Sequence, residues 1–196
     1  MRAMERQYRL MYRLGLTPWD QSAIPSEVVR VVEGPAALPP GVALDIGCGT
    51  GRHAAYLAEH GWQVTAFDVS PRAVERAKQR SVSVRWHVAG LGETSVERVV
   101  ESVQGQVGLV LDVGCLHGLD EEGRRAWRAT VNRVTAPDAR VLLRAAPPSA
   151  ARSITPRGIA PADVADLLGT QWVRADSYSP GWSLYRRTPS FDPDVV

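Results

Sequence analysis

Ala43-Leu-Asp-Ile-Gly-Cys-Gly-Thr-Gly51 is the stretch on which the reading of this chain turns. A short apolar run ends in Asp45, glycines alternate at 47, 49 and 51, and a helical pattern follows at once. A second apolar run, Trp62 to Phe67, ends in another acid, Asp68. Strand, tight glycine turn, helix and strand, in that order, make the first half of a nucleotide-binding α/β sheet. Glycine lets the backbone approach a ligand closely and tolerates positive φ. The free N–H groups that open the following helix then face that ligand. An acid at the end of the second strand suits a ribose diol, which offers two hydroxyl donors.

Upstream, Met4, Tyr8, Met11 and Tyr12 fall near helical spacing and predict an amphipathic helix over 1–14, ending near Gly15. Leu16-Thr-Pro-Trp-Asp20 is a rigid turn carrying a large aromatic, and Ser26 is expected to cap a helix over 26–33. Gly34 to Gly41 is a Pro-rich connector. Downstream the pattern alternates in a doubly wound manner. Strands are expected at 42–46, 63–68, 83–88, 107–112 and 139–144, with helices at about 51–60, from Ser70-Pro71 onward, around 93–103, and at 121–134 and 161–168. Trp172 to Tyr178, a Ser179-Pro-Gly181 turn and Trp182 to Arg187 form a terminal hairpin.

The length of 196 residues predicts one globular domain with a substantial core. A net charge of +2, with scattered arginines and no Lys-aromatic stripe, argues against a nucleic-acid partner. No apolar run reaches the ~20 residues of a membrane helix, and the basic N-terminus lacks the apolar core of a secretory signal. Two cysteines, Cys48 and Cys115, make no disulfide framework and read as reduced thiols of a cytoplasmic protein. No His/Cys/Asp cluster has metal-ligand spacing, so no metal is expected.

The spacing narrows the ligand. A dinucleotide fingerprint reads G-x-G-x-x-G, whereas this loop reads D-x-G-x-G-x-G. The alternative to a loop built for that different ligand is an NAD-type or ligand-free unit, with Asp45 capping a turn. The motif, the acid at 68 and the terminal hairpin resemble class I S-adenosylmethionine (SAM) dependent methyltransferases. The resemblance implies a Rossmann-like, doubly wound α/β sheet of seven strands ending in an antiparallel hairpin. The Thr17-Pro-Trp-Asp20 segment is similar to the N-terminal cover of thiopurine- and tellurite-type small-molecule methyltransferases. It implies a helical cover over residues 1–40, a SAM-binding domain over 41–196, and Trp19 as a lid over cofactor and acceptor.

By the same resemblance Gly47, Gly49 and Gly51 lie along the methionine and ribose, with Cys48 and Thr50 in the same loop. Asp45 meets the amino group, directly or through water, and Asp68 the ribose hydroxyls. Family members often carry an adenine-binding acid after strand three. Here Val88-Ala-Gly-Leu-Gly-Glu93 has none at the expected place, which leaves Val69, Gly90 and Leu91 to hold the adenine, or Glu93 if the loop is displaced. After strand four, Asp112 and His117 are expected to point into the pocket with Cys115 beside them. His117 then serves as the base, its ordinary pKa of ~6.5 suiting neutral pH. The alternative is that Asp112 fixes its own loop and His117 packs on the next helix. Arg52 is placed to meet the SAM carboxylate, and His53 reads as a pocket wall. Arg144 ends strand five and is a candidate for binding an acidic acceptor, and the segment 149–157, with Arg152 and Arg157, for a lid. The expected enzyme methylates a small molecule, a thiol in particular, as a monomer or homodimer. Its rivals are an O- or N-methyltransferase of secondary metabolism and a SAM-binding protein without transferase activity.

Overall fold

The computed structural model describes residues 3–20, 23–148 and 158–188, so the segment expected as a lid at 149–157 lies outside the described residues. Two helices, α1 (Ala3–Leu14) and α2 (Ser26–Val32), precede β1 (Val42–Ile46), α3 (Arg52–Glu59), β2 (Gln63–Asp68), α4 (Pro71–Lys78) and β3 (Arg85–Val88). Then follow α5 (Thr94–Val103), β4 (Val107–Val113), a single 3-10 turn (Leu116–Gly118), α6 (Glu121–Val134), β5 (Thr135–Arg144), α7 (Pro161–Leu168), β6 (Trp172–Ser177) and β7 (Trp182–Arg187). The seven strands form one sheet in the order β3-β2-β1-β4-β5-β7-β6. The first five run parallel, and β7 pairs antiparallel with both β5 and β6. This is the expected Rossmann-like α/β sheet with its terminal hairpin. Strand order reverses between β1 and β4, and that switch point opens a crevice outside the carboxyl ends of the strands.

Alternation along each strand decides what the two faces receive. Leu44, Ile46, Val110, Val141 and Leu143 pack on one face with Val96, Val99, Trp127, Val131 and Leu168 of α5, α6 and α7. Ala43, Leu109, Leu111 and Leu142 pack on the other with Val28 and Val31 of α2 and Ala54 and Leu57 of α3. The same alternation sends Asp112 toward α6, and sends Asp45 and Arg144 toward α2 and α3.

Three boundaries differ from expectation. Ser26 is not the cap of α2: Pro25 holds that position, no side chain caps the helix, and the Ser26 hydroxyl donates to Glu27 Oε2 at 3.2 Å. Strand β3 starts at Arg85 rather than at 83. Strand β5 starts at Thr135, which pairs with Val107, while Leu109 pairs with Arg140. Asp138, at φ 59°, takes up the extra length in a left-handed turn that Asp tolerates better than most residues. Alternation could not reveal a strand interrupted in this way. By contrast, Ser70 caps α4 as expected, its hydroxyl accepting the Ala73 N–H at 3.3 Å.

Candidate active site

A cavity of about 500 Å³ occupies the crevice. Its floor is the turn after β1. Gly47 and Gly49 have φ of 70° and 56°, and a Cβ at either would crowd a neighbour: Cys115 Cβ at 2.7 Å from position 47, and the Tyr12 hydroxyl at 2.7 Å from position 49. Gly51 does something else. It does not line the cavity, and a Cβ there would lie 2.4 Å from the Trp86 ring and 2.7 Å from Ala77 Cβ. Its placement along the cofactor is therefore corrected: the third glycine is small so that α3 can pack against α4 and β3.

Asp68, ending β2, lines the cavity and accepts the Gly49 N–H at 3.0 Å and the Ser70 N–H at 2.8 Å. Burial raises its pKa, and those two N–H groups pull it back. A carboxylate has about four lone-pair sites, so capacity remains for hydroxyl donors. Val69, Ala89, Gly90 and Leu91 complete this end. The Gly90 N–H is held by Ser95 Oγ at 3.2 Å, and Glu93 packs beside Gly90 and accepts from the same hydroxyl. Glu93 does not line the cavity, which removes it as the substitute adenine acid.

The roof comes from the N-terminal segment. Tyr8, Met11 and Tyr12 of α1 and Trp19 of the following turn all line the cavity. Trp19 meets Tyr8 and Tyr12 edge-to-face, with ring centroids 5.4 and 5.9 Å apart, and its indole donates to the Tyr12 hydroxyl at 3.1 Å. Each such ring contact contributes about 0.5–1.5 kcal/mol beyond burial. Thr50 clasps roof to floor by donating to Asp20 Oδ1 at 2.6 Å, and Arg80 holds the Thr50 carbonyl at 2.8 Å. From the sequence, Tyr8 and Tyr12 are only part of the apolar face of a helix. Their i, i+4 spacing is the one sequence signal that set them on a common face.

Asp112 is fully buried and does not line the cavity. Its carboxylate accepts the Cys115 N–H at 2.8 Å, the Leu116 N–H at 3.1 Å and the Trp127 indole N–H at 2.8 Å. The expectation that it points into the pocket is corrected: strand alternation turns it toward α6, where it holds the loop after β4. Asp45 is likewise buried beneath the floor, outside the cavity wall, and its Oδ2 has no hydrogen-bond partner among the described residues. Burial, then the charges of Asp112 and Asp68, raise Asp45 to about 8, while burial raises Asp112 to about 6. Cys48 and Cys115 line the cavity on either side of Gly47, and burial pushes both thiols well up, so both stay protonated at neutral pH.

At the end toward β5 stand His53, His117, Arg52 and Arg144. Burial first, then the charges of Arg144 and Arg124, press His117 down to about 4; the nearby Arg144 carbonyl offsets only part of this. Its Nδ1 accepts the Ala146 N–H at 3.2 Å. His53 is held at about 3 by burial and by Arg52 and Arg144, and its Nε2 accepts the Arg52 Nε–H at 3.0 Å. A neutral imidazole has one acceptor nitrogen and one N–H. In both rings the acceptor nitrogen is engaged, so the expected base role of His117 does not fit its surroundings.

The cofactor end passes a test of fit. Two glycines leave room where any Cβ would intrude, Asp68 keeps free acceptor capacity, and apolar side chains flank it. A model of the methyltransferase domain matches residues 43–138. An uncharacterized methyltransferase of Schizosaccharomyces pombe is 31% identical over 102 residues, 52% of this chain and 69% of that protein. The 2-heptyl-1-hydroxyquinolin-4(1H)-one methyltransferase of Mycobacteroides abscessus is 27% identical over 132 residues, 64% of this chain and 54% of that protein. The Burkholderia thailandensis 1,6-didemethyltoxoflavin N1-methyltransferase, solved with S-adenosylhomocysteine, superimposes with a TM-score of 0.72 at 23% identity, over 94% of this chain and 87% of that one. The chain belongs to the methyltransferase family, as a class I enzyme whose cofactor is S-adenosyl-L-methionine.

Proposed function

We propose that this methyltransferase acts on a small molecule, bound beside the cofactor under the roof of Tyr8, Tyr12 and Trp19. The observation that carries this reading is the size and lining of the cavity. About 500 Å³ suits a cofactor with a small acceptor, and Tyr8, Tyr12 and Trp19 of the N-terminal segment line it. In this reading Gly47, Gly49 and Asp68 hold the cofactor's methionine and ribose, and Val69, Gly90 and Leu91 its adenine. Cys48, Cys115 and Thr50 fill the space around the loop. Asp45, beneath it, reaches the amino group only through water. The cofactor supplies an electrophilic sulfonium methyl. The protein supplies alignment and, through residues 1–40 acting as a cover, exclusion of water.

A thiol is the favoured acceptor class, because an ordinary thiol pKa of ~8.5 leaves a few per cent thiolate at neutral pH without a base. An acidic hydroxyl is second, favoured by the relative named for a 1-hydroxyquinolinone. Two unpaired cysteines and the modest net charge fit a cytoplasmic enzyme with no nucleic-acid partner. Among the described residues no helix is long and apolar enough to cross a membrane. Calorimetric titration with SAM and S-adenosylhomocysteine tests the cofactor site. Asp68→Ala should weaken both by roughly 10- to 100-fold, the worth of charged hydrogen bonds. Unchanged affinity in the variant would take the ribose away from Asp68, and binding without turnover on any acceptor would favour a non-catalytic SAM-binding protein.

A further inference from the structure

The cavity is divided by charge. Toward Cys115 and the glycine loop stand the acids: Asp68 and Glu5 both act on the Cys115 thiol. Toward β5 stand the cations Arg144 and Arg52, with Asp20 as the one acid that acts on Arg52 from the cavity wall; Arg144 acts on His53, on His117 and on Arg52. The division follows from the fold. Arg144 has the strand parity of Leu142, which faces α2 and α3, and Arg52 and His53 open α3 on that same side. Arg144 is exposed at the cavity wall and makes no ion pair among the described residues. The acid that feels its charge, Glu27, already accepts from the Ser26 and Ser179 hydroxyls.

Neither imidazole at that end has a free lone pair for a proton. The acceptor nitrogens of His53 and His117 are filled by Arg52 Nε–H and by the Ala146 N–H. A guanidinium at the cavity wall and two imidazoles whose acceptor nitrogens are engaged suit a ligand that arrives already negative.

We propose that the methyl acceptor binds and reacts as an anion, its charge met by Arg144 with Arg52 behind it, and that neither His53 nor His117 serves as general base. This rests on the methyltransferase reading above. The acceptor's ionised oxygen or sulfur forms the bond to the methyl carbon as the carbon–sulfur bond of the sulfonium breaks and its electron pair goes to sulfur. Anion and cation become two neutral products, and no proton passes to the protein. Acceptors with acidic hydroxyls or thiols are substrates, and aliphatic alcohols are not. Arg144 is a specificity-determining residue under this scheme, and His117 shapes the wall.

The test uses the full chain saturated with S-adenosylhomocysteine, with calorimetry as the readout, so that binding is separated from turnover. The probes are matched pairs at a pH where the first member is ionised: 4-nitrophenol with 4-nitroanisole, thiophenol with thioanisole, and benzoate with benzamide. The anionic member should bind at least about tenfold tighter, Arg144→Gln should erase the preference, and Arg144→Lys should restore most of it. With SAM, kcat/KM should rise with pH along the acceptor's own ionisation and survive His117→Gln. Equal affinity within every pair, including none for either member, overturns the proposal. So does a pH profile that stays put when the acceptor is changed and vanishes in Glu5→Gln, which would make Glu5 the base. Failure of S-adenosylhomocysteine to bind at all would instead remove the methyltransferase reading beneath it.

Discussion

Two glycines two residues apart in one motif have different physical duties, and substitution should separate them. Gly51→Ala puts a Cβ against the Trp86 ring and Ala77, in a backbone with φ 82°. Overpacking and a left-handed non-glycine residue together cost about 2–4 kcal/mol, which urea denaturation will read as a lower midpoint. Gly49→Ala meets only the Tyr12 hydroxyl, the far end of a side chain that can give way. Its expected stability loss is smaller, about 1 kcal/mol, but SAM affinity should fall because Tyr12 is displaced from the loop. Equal losses of stability would refute the division of labour. The buried acids have a pH signature of their own. In the unfolded chain Asp45 and Asp112 titrate near ~3.9, whereas the fold holds their protons up to about 8 and about 6. The folded state therefore binds more protons between those limits. Their contribution is fully present below about pH 4 and is lost as pH rises through each folded pKa. Relative to the wild type, the denaturation midpoint of Asp45→Asn should rise between about pH 6 and about pH 8, as the wild type gives up that proton. A difference that stays constant over that range would assign the proton to another group.

At the scale of elements, α1 packs beside α4, and an aromatic cluster ties it to the turn that follows it. Trp19 bridges Tyr8 and Tyr12, and Thr50 reaches up to Asp20. Its outer face leaves Leu10 and Leu14 exposed. Trp19→Ala removes two ring contacts and one hydrogen bond, worth about 1–3 kcal/mol together. The loss should fall on the element rather than on the fold. Amide exchange in α1 should speed up and SAM affinity should drop several-fold, while β1, β4 and β5 keep their protection. Faster exchange across the whole sheet would mean that Trp19 is part of the common core. The loop after β4 is the opposite case. Asp112 satisfies two backbone N–H groups and an indole there, and that rigidity sets where Cys115 and His117 stand.

At the scale of the molecule, floor and roof come from segments far apart in the chain, so a ligand between them should stabilise both together. SAM at about 100 times its dissociation constant should add about 2.7 kcal/mol, or roughly 5–11 °C in Tm for a chain of this size. A calorimetric transition that splits, with only part of it shifted, would show that the roof melts independently. The glycine loop, the ribose acid, the parallel order and the terminal hairpin were all legible in the linear chain. Each rests on local chemistry: turn conformations only glycine takes, apolar periodicity, a helix cap at Ser70. Positions that depend on strand parity and on packing at a distance were not. Asp112 and Asp45 look like pocket acids in the motif, yet the pleat buries one under α6 and the other under α3. Gly51 looks like a loop glycine, but the constraint on it comes from Trp86 and Ala77, across the fold. His117 looks like a base until the Ala146 N–H, twenty-nine residues on, fills its Nδ1. By itself the sequence determined which backbone conformations and which face-periodicities are available, and so the architecture and the cofactor. Only the tertiary structure decided which lone pairs are left free, because that depends on partners brought together by packing rather than by spacing.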